Sequence, residues 1–330
     1  MSQNGLEQPF TRRHVLATGL AAGVAVLAGC GSGMRKPSGW TFVDDRKHTV
    51  RLSTRPTRIV AYSTAAAALY DWGVTPVGVF GIDPREDRVL ARLPWDRVQI
   101  IGSVYGEIDL EKLHALKAEL IVSRWYPPPA NSPLFGFKNV AQQRMIGAQV
   151  PIVGINSHVI ATRQIDRFGD LARTLGVNTR SGKVADARAA FVRAETNMSR
   201  SARRQSNLRI IAISADQNSM YVAKVTDSGD LTFYAERGVP LVSAKTSDPY
   251  WDTIPWKEAG KYPADGILYD MRQTVFPLSV AKAIRPFAEL PAVQADQFGS
   301  WLADPPPSYQ AYTSRMDELA KTIAGWRKVA

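Results

Sequence analysis

Short apolar runs rich in β-branched residues recur along the chain, separated by polar turns or helical patterns. RIVAYS at 58–63, VTPVGVFG at 74–81, VPIVGI at 150–155, RIIAIS at 209–214, SMYVAKV at 219–225 and VPLVS at 239–243 read as buried strands. Helical periodicity between them predicts open sheets, mostly parallel, with helices on both faces. From 160 to 175 the apolar positions fall at 165, 168, 171, 172 and 175, one face of a helix that Gly176 ends. A second helix follows through Val184, Ala187, Phe191, Ala194 and Met198. The first, at about 16–18 residues, would span roughly 25 Å as a stiff rod between two groups of strands.

The two groups echo each other. RIVAYS and RIIAIS are both β-branched runs ending in serine, 151 residues apart. DLEKLHALKAELIVSRW at 109–125 lines up with PWKEAGKYPADGILYDM at 255–271, 146 residues apart. In both, a short amphipathic helix leads through a polar turn, Lys-Ala-Glu or Pro-Ala-Asp, into an apolar strand. Two echoes in one order and at nearly one spacing predict a pair of like lobes. The expected fold is α/β, with two Rossmann-like lobes joined by a single long linking α-helix and a ligand cleft between them. The expected divisions are an N-terminal lobe at 40–157, the linking helix at 158–178, and a C-terminal lobe with preceding and terminal helices at 179–330.

The start of the chain is different in kind. Arg12 and Arg13 precede Val15 to Gly29, a run without charge that is too short for the roughly 20 apolar residues of a membrane span. It reads as a cleaved export signal over 1–29, and its arginine pair resembles the twin-arginine address. LAGC at 27–30 resembles the bacterial lipobox, which makes Cys30, the one cysteine, a lipid attachment atom followed by a tether over 30–39. The protein is then expected at the outer face of the cell membrane, without disulfides. The formal charge of +11 is scattered apart from SRSARRQ at 199–205, and no basic motif is interleaved with aromatics. Together with export, this excludes nucleic acid as a partner.

On RIVAYS, GVTPVGV, DLEKLHALKAELIV, the linking helix and YWDTIPWKEAGKYPADGILYDMR, residues 40–328 resemble the class III substrate-binding proteins of ABC importers. That group takes up ferric siderophores, haem and vitamin B12, and the chain most resembles the ferric siderophore binders of Gram-positive bacteria. The resemblance implies a monomeric lipoprotein that is not an enzyme and has no resident cofactor. It would capture a ferric siderophore, with the hydroxamate type favoured, and deliver it to an ABC permease and its ATPase. In that family an exposed glutamate on each lobe pairs with permease arginines. Glu111 matches the first, whereas the second lobe has Lys257 at the echo position with Glu258 beside it.

The residues themselves outline a site. His14, His48, His114 and His158 show no metal-ligand spacing, so no protein-held metal is expected. A siderophore suits this, because its own oxygens surround the iron. Ligands in open α/β sheets bind beyond the carboxyl ends of strands. After ELIV come Arg124, Trp125 and Tyr126, and after GIL come Tyr269, Asp270 and Arg272. Ser63 and Tyr105 would join the first wall, and Tyr221, Trp251 and Trp301 the second. Arg124 and Arg272 are the expected anchors, with Asp270 either a ligand contact or the partner of Arg272. The proline runs WYPPP and DPPPSY are expected to stiffen loops at the cleft mouth. Two other readings stay open: a haem or cobalamin binder of the same fold, and a secreted α/β enzyme. No G-x-S-x-G elbow, phosphate loop or H-E-x-x-H supports the latter.

Overall fold

The computed structural model describes residues 39–81, 92–127, 132–180, 182–272 and 276–330. The export signal, Cys30, the tether up to residue 38, and Pro128 and Pro129 of the first proline run lie outside the described residues.

The N-terminal lobe opens with an antiparallel hairpin of β1 (Trp40–Val43) and β2 (Thr49–Leu52). Its main elements are β3 (Ile59–Tyr62), α1 (Ser63–Asp71), β4 (Gly78–Phe80), β5 (Gln99–Gly102), α2 (Leu110–Ala115), β6 (Leu120–Trp125), α3 (Val140–Gly147) and β7 (Ile152–Asn156). The five strands lie in the order β5-β4-β3-β6-β7, with every pairing parallel. Two helices follow, α4 (Ala161–Thr174) and α5 (Lys183–Arg204). The C-terminal lobe holds β8 (Ile210–Ala215), β9 (Ser219–Ala223), α6 (Gly229–Glu236), β10 (Trp251–Pro255) and β11 (Gly266–Asp270). Three single-turn helices come next, α7 (Leu278–Ala281), α8 (Arg285–Ala288) and α9 (Pro291–Gln294), and then β12 (Phe298–Trp301) and α10 (Tyr309–Gly325).

The second sheet departs from the expected parallel pattern. Its order is β10-β9-β8-β11-β12, and the β8–β9 and β9–β10 pairings are antiparallel. The cause is local: Asp216 accepts the backbone N–H groups of Asn218 and Ser219 at 2.7 and 2.8 Å, closing a tight hairpin where the first lobe inserts α1. VPLVS forms no strand and makes only a parallel bridge from Leu241 to Ile210.

The echoes have a structural meaning. RIVAYS and RIIAIS become β3 and β8, the central strand of each sheet, and each pairs in parallel with the strand of the second echo, β6 or β11. The polar turns do the same work in both lobes. Glu119 donates its N–H to Arg58 O at 2.9 Å and accepts from Arg58 N at 3.0 Å; Asp265 donates to Arg209 O at 2.7 Å and accepts from Arg209 N at 2.7 Å. An acid just before the second strand thus sets its register against the first.

The linking helix is α4, 14 residues long, or about 21 Å at 1.5 Å per residue. It is shorter than expected because the segment from β7 runs on to Ile160 before the helix starts. Its end is a Schellman turn: Gly176, at φ +91°, donates to Arg173 O and Val177 donates to Ala172 O. One core is shared by both lobes, running from Ile59, Ala61 and Val122 through Ile165 and Phe168 of α4 to Phe191, Phe233, Leu268 and Tyr312. Separate cores cover the outer face of each sheet, around Phe80 and Phe137 in one lobe and around Ile213 and Phe287 in the other.

At Gly229 the C-terminal lobe closely approaches the start of the linking helix. A Cβ there would lie 2.3 Å from Val159 O and 2.4 Å from the Gln164 amide nitrogen. Gly229→Ala is therefore expected to cost about 2 kcal/mol, the order of an overpacked core position, read as a lowered thermal midpoint.

Candidate functional site

The carboxyl end of the first sheet carries an aromatic wall that meets Tyr250 of the second lobe. The loop after β6 folds back along its strand: Phe135 N donates to Arg124 O at 2.9 Å, and Ser123 Oγ donates to Phe135 O at 2.6 Å. Gly136 allows this at φ +81°, since a Cβ would lie 2.6 Å from the Phe80 ring and 2.8 Å from that of Tyr62. Phe135 then stacks at a tilt on Tyr62 and Tyr126, with ring centres 5.7 and 5.2 Å away. Tyr126 meets Tyr250 of the other lobe edge-on at 5.1 Å, and His158 lies 5.7 Å from Tyr250. Tyr105 stands beside them, 46 % exposed.

Arg272 lies in the neighbourhood of Tyr62 of this wall. Its Nε donates to Asp270 Oδ2 at 2.8 Å and its backbone N–H donates to Asp270 Oδ1 at 3.2 Å, yet 41 % of its side chain stays exposed. Asp270 itself is 2 % exposed, so of the two roles open to it the structure displays the partner of Arg272. Burial pushes the Tyr62 phenol up to about 12, and the charge of Asp304 and the neighbouring Tyr105 add to the rise. Arg272 in turn feels Asp304 and Tyr62, so Tyr62, Tyr105, Arg272 and Asp304 share one electrostatic region. Burial also lifts the Asp304 carboxyl above its usual range, against the pull of Arg124 and Arg272.

Strand parity sends several expected site residues elsewhere. Strand β6 runs on to Trp125, so Arg124 lies within it and not in a loop beyond it. Leu120 and Val122 face the shared core, and Arg124, on the same face, is 1 % exposed. Its Nη1 donates to Thr64 Oγ1 at 3.1 Å, Asp304 O at 3.2 Å and Pro305 O at 3.3 Å, and its Nη2 donates to Gln164 Oε1 at 2.6 Å and to the Asp304 carboxylate. A guanidinium held in this way is no exposed anchor. Trp125 takes the opposite face and packs on the outer core. In β11, Tyr269 likewise faces the outer core, 6 % exposed, and its hydroxyl donates to Phe276 O at 2.7 Å.

The remaining candidates form a row in the second lobe. Trp251, half-buried, lies 6.4 Å from Tyr221 and 5.9 Å from Trp301. Trp301 is 4 % exposed and donates from Nε1 to Asp230 Oδ2 at 2.7 Å, so it is a core residue. The Tyr221 hydroxyl donates to Asp216. Ser63 is buried at the start of α1. The second proline run does not lie at the cleft mouth: Pro305, Pro306 and Pro307 are buried, and Ser308 beyond them donates to Asp71 of α1. Glu111 and Glu258 are both exposed, Glu111 in the first turn of α2 and Glu258 in a 3-10 turn, 3.9 Å from Lys257.

Sequence reasoning missed Tyr62, Tyr250 and Asp304. Tyr250 carries φ +69° and Asp304 φ +63°, a backbone region that bulky residues avoid and that tends to mark functional sites. No local pattern announces either. Among the described residues, no group of three or more His, Cys, Asp or Glu could hold a metal, and no helix is long and apolar enough to cross a membrane.

No family model matches the chain, and no curated relative matches it. Solved structures do. DesE, a ferric-siderophore receptor protein from Streptomyces coelicolor, is 30 % identical with a TM-score of 0.82, over 88 % of this chain and 100 % of that one. FhuD from Vibrio cholerae, bound to Fe3+-Desferal, is 17 % identical with a TM-score of 0.58, over 82 % and 99 % of the two chains. YclQ, a petrobactin-binding protein from Bacillus subtilis, is 14 % identical with a TM-score of 0.65, over 86 % and 98 %. The last two share the fold; the first carries the relationship further, for nearly a third of the residues agree along its whole length. With like lobes and a linking helix to match, the chain belongs to the class III siderophore-binding family, the extracytoplasmic binding proteins of ABC importers.

Proposed function

We propose that this protein captures a ferric siderophore of the hydroxamate type between its lobes and hands it to an ABC permease. It is a binding protein and not an enzyme, as its structural neighbours are. The observations that carry the proposal are the Tyr126–Tyr250 contact across the lobes and the half-exposed Arg272, which lies in the same electrostatic region as Tyr62 and Asp304. Aromatic faces give contact area to the apolar edges of a siderophore, and a forked guanidinium donates to hydroxamate oxygens.

Charge supports the hydroxamate class. Arg124 and Arg272 are balanced by Asp270 and Asp304, so the region carries no excess positive charge. Three singly charged hydroxamates cancel the charge of the ferric ion, whereas three catecholates leave a trianion that this balanced site would not favour.

Cys30 carries the lipid in this reading, after export through the twin-arginine signal, and the protein works as a monomer. Glu111 and Glu258 dock on the permease. Both are exposed, and α2 and the 3-10 turn each lead into the strand of the second echo. Titration with ferrioxamine B should quench tryptophan emission, saturating at about one ligand per protein, with the complex recovered unchanged. A shifted Soret band on adding haem, with no response to ferrioxamine B, would transfer the site to haem.

A further inference from the structure

Arg124 and Asp270 occupy the same position of the second echo, on β6 and β11. Asp270 finds its countercharge two residues away, in its own lobe. Arg124 finds its own 180 residues away, in the other. The acceptors of its guanidinium come from three bodies: Thr64 on α1 of the N-terminal lobe, Gln164 on the linking helix, and Asp304 with Pro305 in the C-terminal lobe. Gln164 is 2 % exposed, and its amide nitrogen donates to Ser157 O at 3.0 Å and Val159 O at 2.7 Å, which ties the cluster to the start of the linking helix. Asp304 meets Arg124 with both its carboxylate and its carbonyl, which the left-handed backbone at this residue brings to one side.

A buried guanidinium must keep its partners, because water cannot replace them. Its acceptors on three bodies coincide at one lobe angle only. We infer that Arg124 is a positioning residue: with Gln164 and Asp304 it locks the lobe angle, and so sets the distance from the Tyr62–Tyr105 wall to Arg272 without touching ligand. A single helix could tilt at either end, and the cluster removes that freedom. The gap then serves as a fixed gauge for the size of the captured complex, a consequence that rests on the proposed function, whereas the lock itself does not.

The test measures lobe spacing without ligand. Spin labels go on Met145→Cys and Val280→Cys, exposed sites on α3 and α7, in full-length protein carrying Cys30→Ser. The parent should give one narrow distance distribution. Arg124→Met, Gln164→Leu and Asp304→Asn should each broaden it at least twofold and weaken ferrioxamine B binding at least tenfold. Arg124→Met combined with Asp304→Asn leaves no unpaired charge and keeps an αL-tolerant residue, so it decides the matter if a single variant fails to fold. Narrow distributions in the paired variant would overturn the inference. So would loss of binding in Arg124→Met alone, with the spacing intact and Gln164→Leu and Asp304→Asn unaffected, for Arg124 would then be a ligand contact. If ferrioxamine B does not bind at all, the ligand assignment fails while the distances still decide the lock.

Discussion

Asp265→Ala is expected to destabilise the protein by about 3 kcal/mol, because several donors to one buried carboxylate lose their acceptor at once. The carboxylate is fully buried, and its Oδ2 accepts from Arg209 N at 2.7 Å and Lys328 Nζ at 3.0 Å. Its Oδ1 accepts from Val329 N at 2.8 Å and Ala330 N at 2.7 Å. Gln297 completes the seam, donating to Arg327 O at 2.9 Å and accepting from Arg327 N at 2.8 Å. One side chain thus pins β11 to β8 and holds the segment Lys328–Ala330 against both. Burial alone would raise this carboxyl, but the hydrogen bonds overcome it and hold the group down at about 2. A depressed carboxyl stabilises the fold fully above its unfolded value near pH 4, and the contribution fades as pH falls from there towards 2. A depression of this size corresponds to roughly 2–3 kcal/mol. Thermal melts should therefore show a wide gap between parent and variant at pH 7 that narrows below pH 4. A gap independent of pH would mean that the charge contributes nothing.

Arg272 carries the second large expectation. Arg272→Gln combined with Asp270→Asn should weaken binding of a ferric hydroxamate at least tenfold, about 1.4 kcal/mol, with little change in melting temperature. The pair must be changed together, since removing Arg272 alone strands a carboxylate whose side chain is 0 % exposed. In the parent, Asp270 fixes the guanidinium from behind and leaves its outer edge for the ligand, so the loss should appear as faster dissociation. Tryptophan quenching titrations measure it. Affinity within twofold of the parent would place the ligand away from Arg272.

Much of the fold was legible because it rests on local and periodic signals. The two β-branched runs are the central strands of two sheets, the paired helix-turn-strand segments lie beside them, and Gly176 ends the linking helix as its backbone requires. Glu111 is exposed, as the family resemblance implies. The site was less legible, because successive side chains of a strand point to opposite faces, and a strand's end placed three residues early leaves the residues beyond it without a face. Reading β6 as ending at Val122 put Arg124 in a loop; ending at Trp125, the strand turns Arg124 into the shared core and Trp125 outward. The same parity buries Tyr269.

Sequence by itself determined the class of fold, the twofold internal likeness and the linking rod, since each is written in neighbouring residues or in a regular period. The tertiary structure alone decided which guanidinium is exposed, which acid it pairs with, and that DPPPSY closes the junction between lobes. Those outcomes depend on contacts such as Arg124 with Asp304 and Ser308 with Asp71, which join residues 180 and 237 positions apart. No period along a chain records such contacts; they exist only once the two lobes have packed around their shared core at one angle.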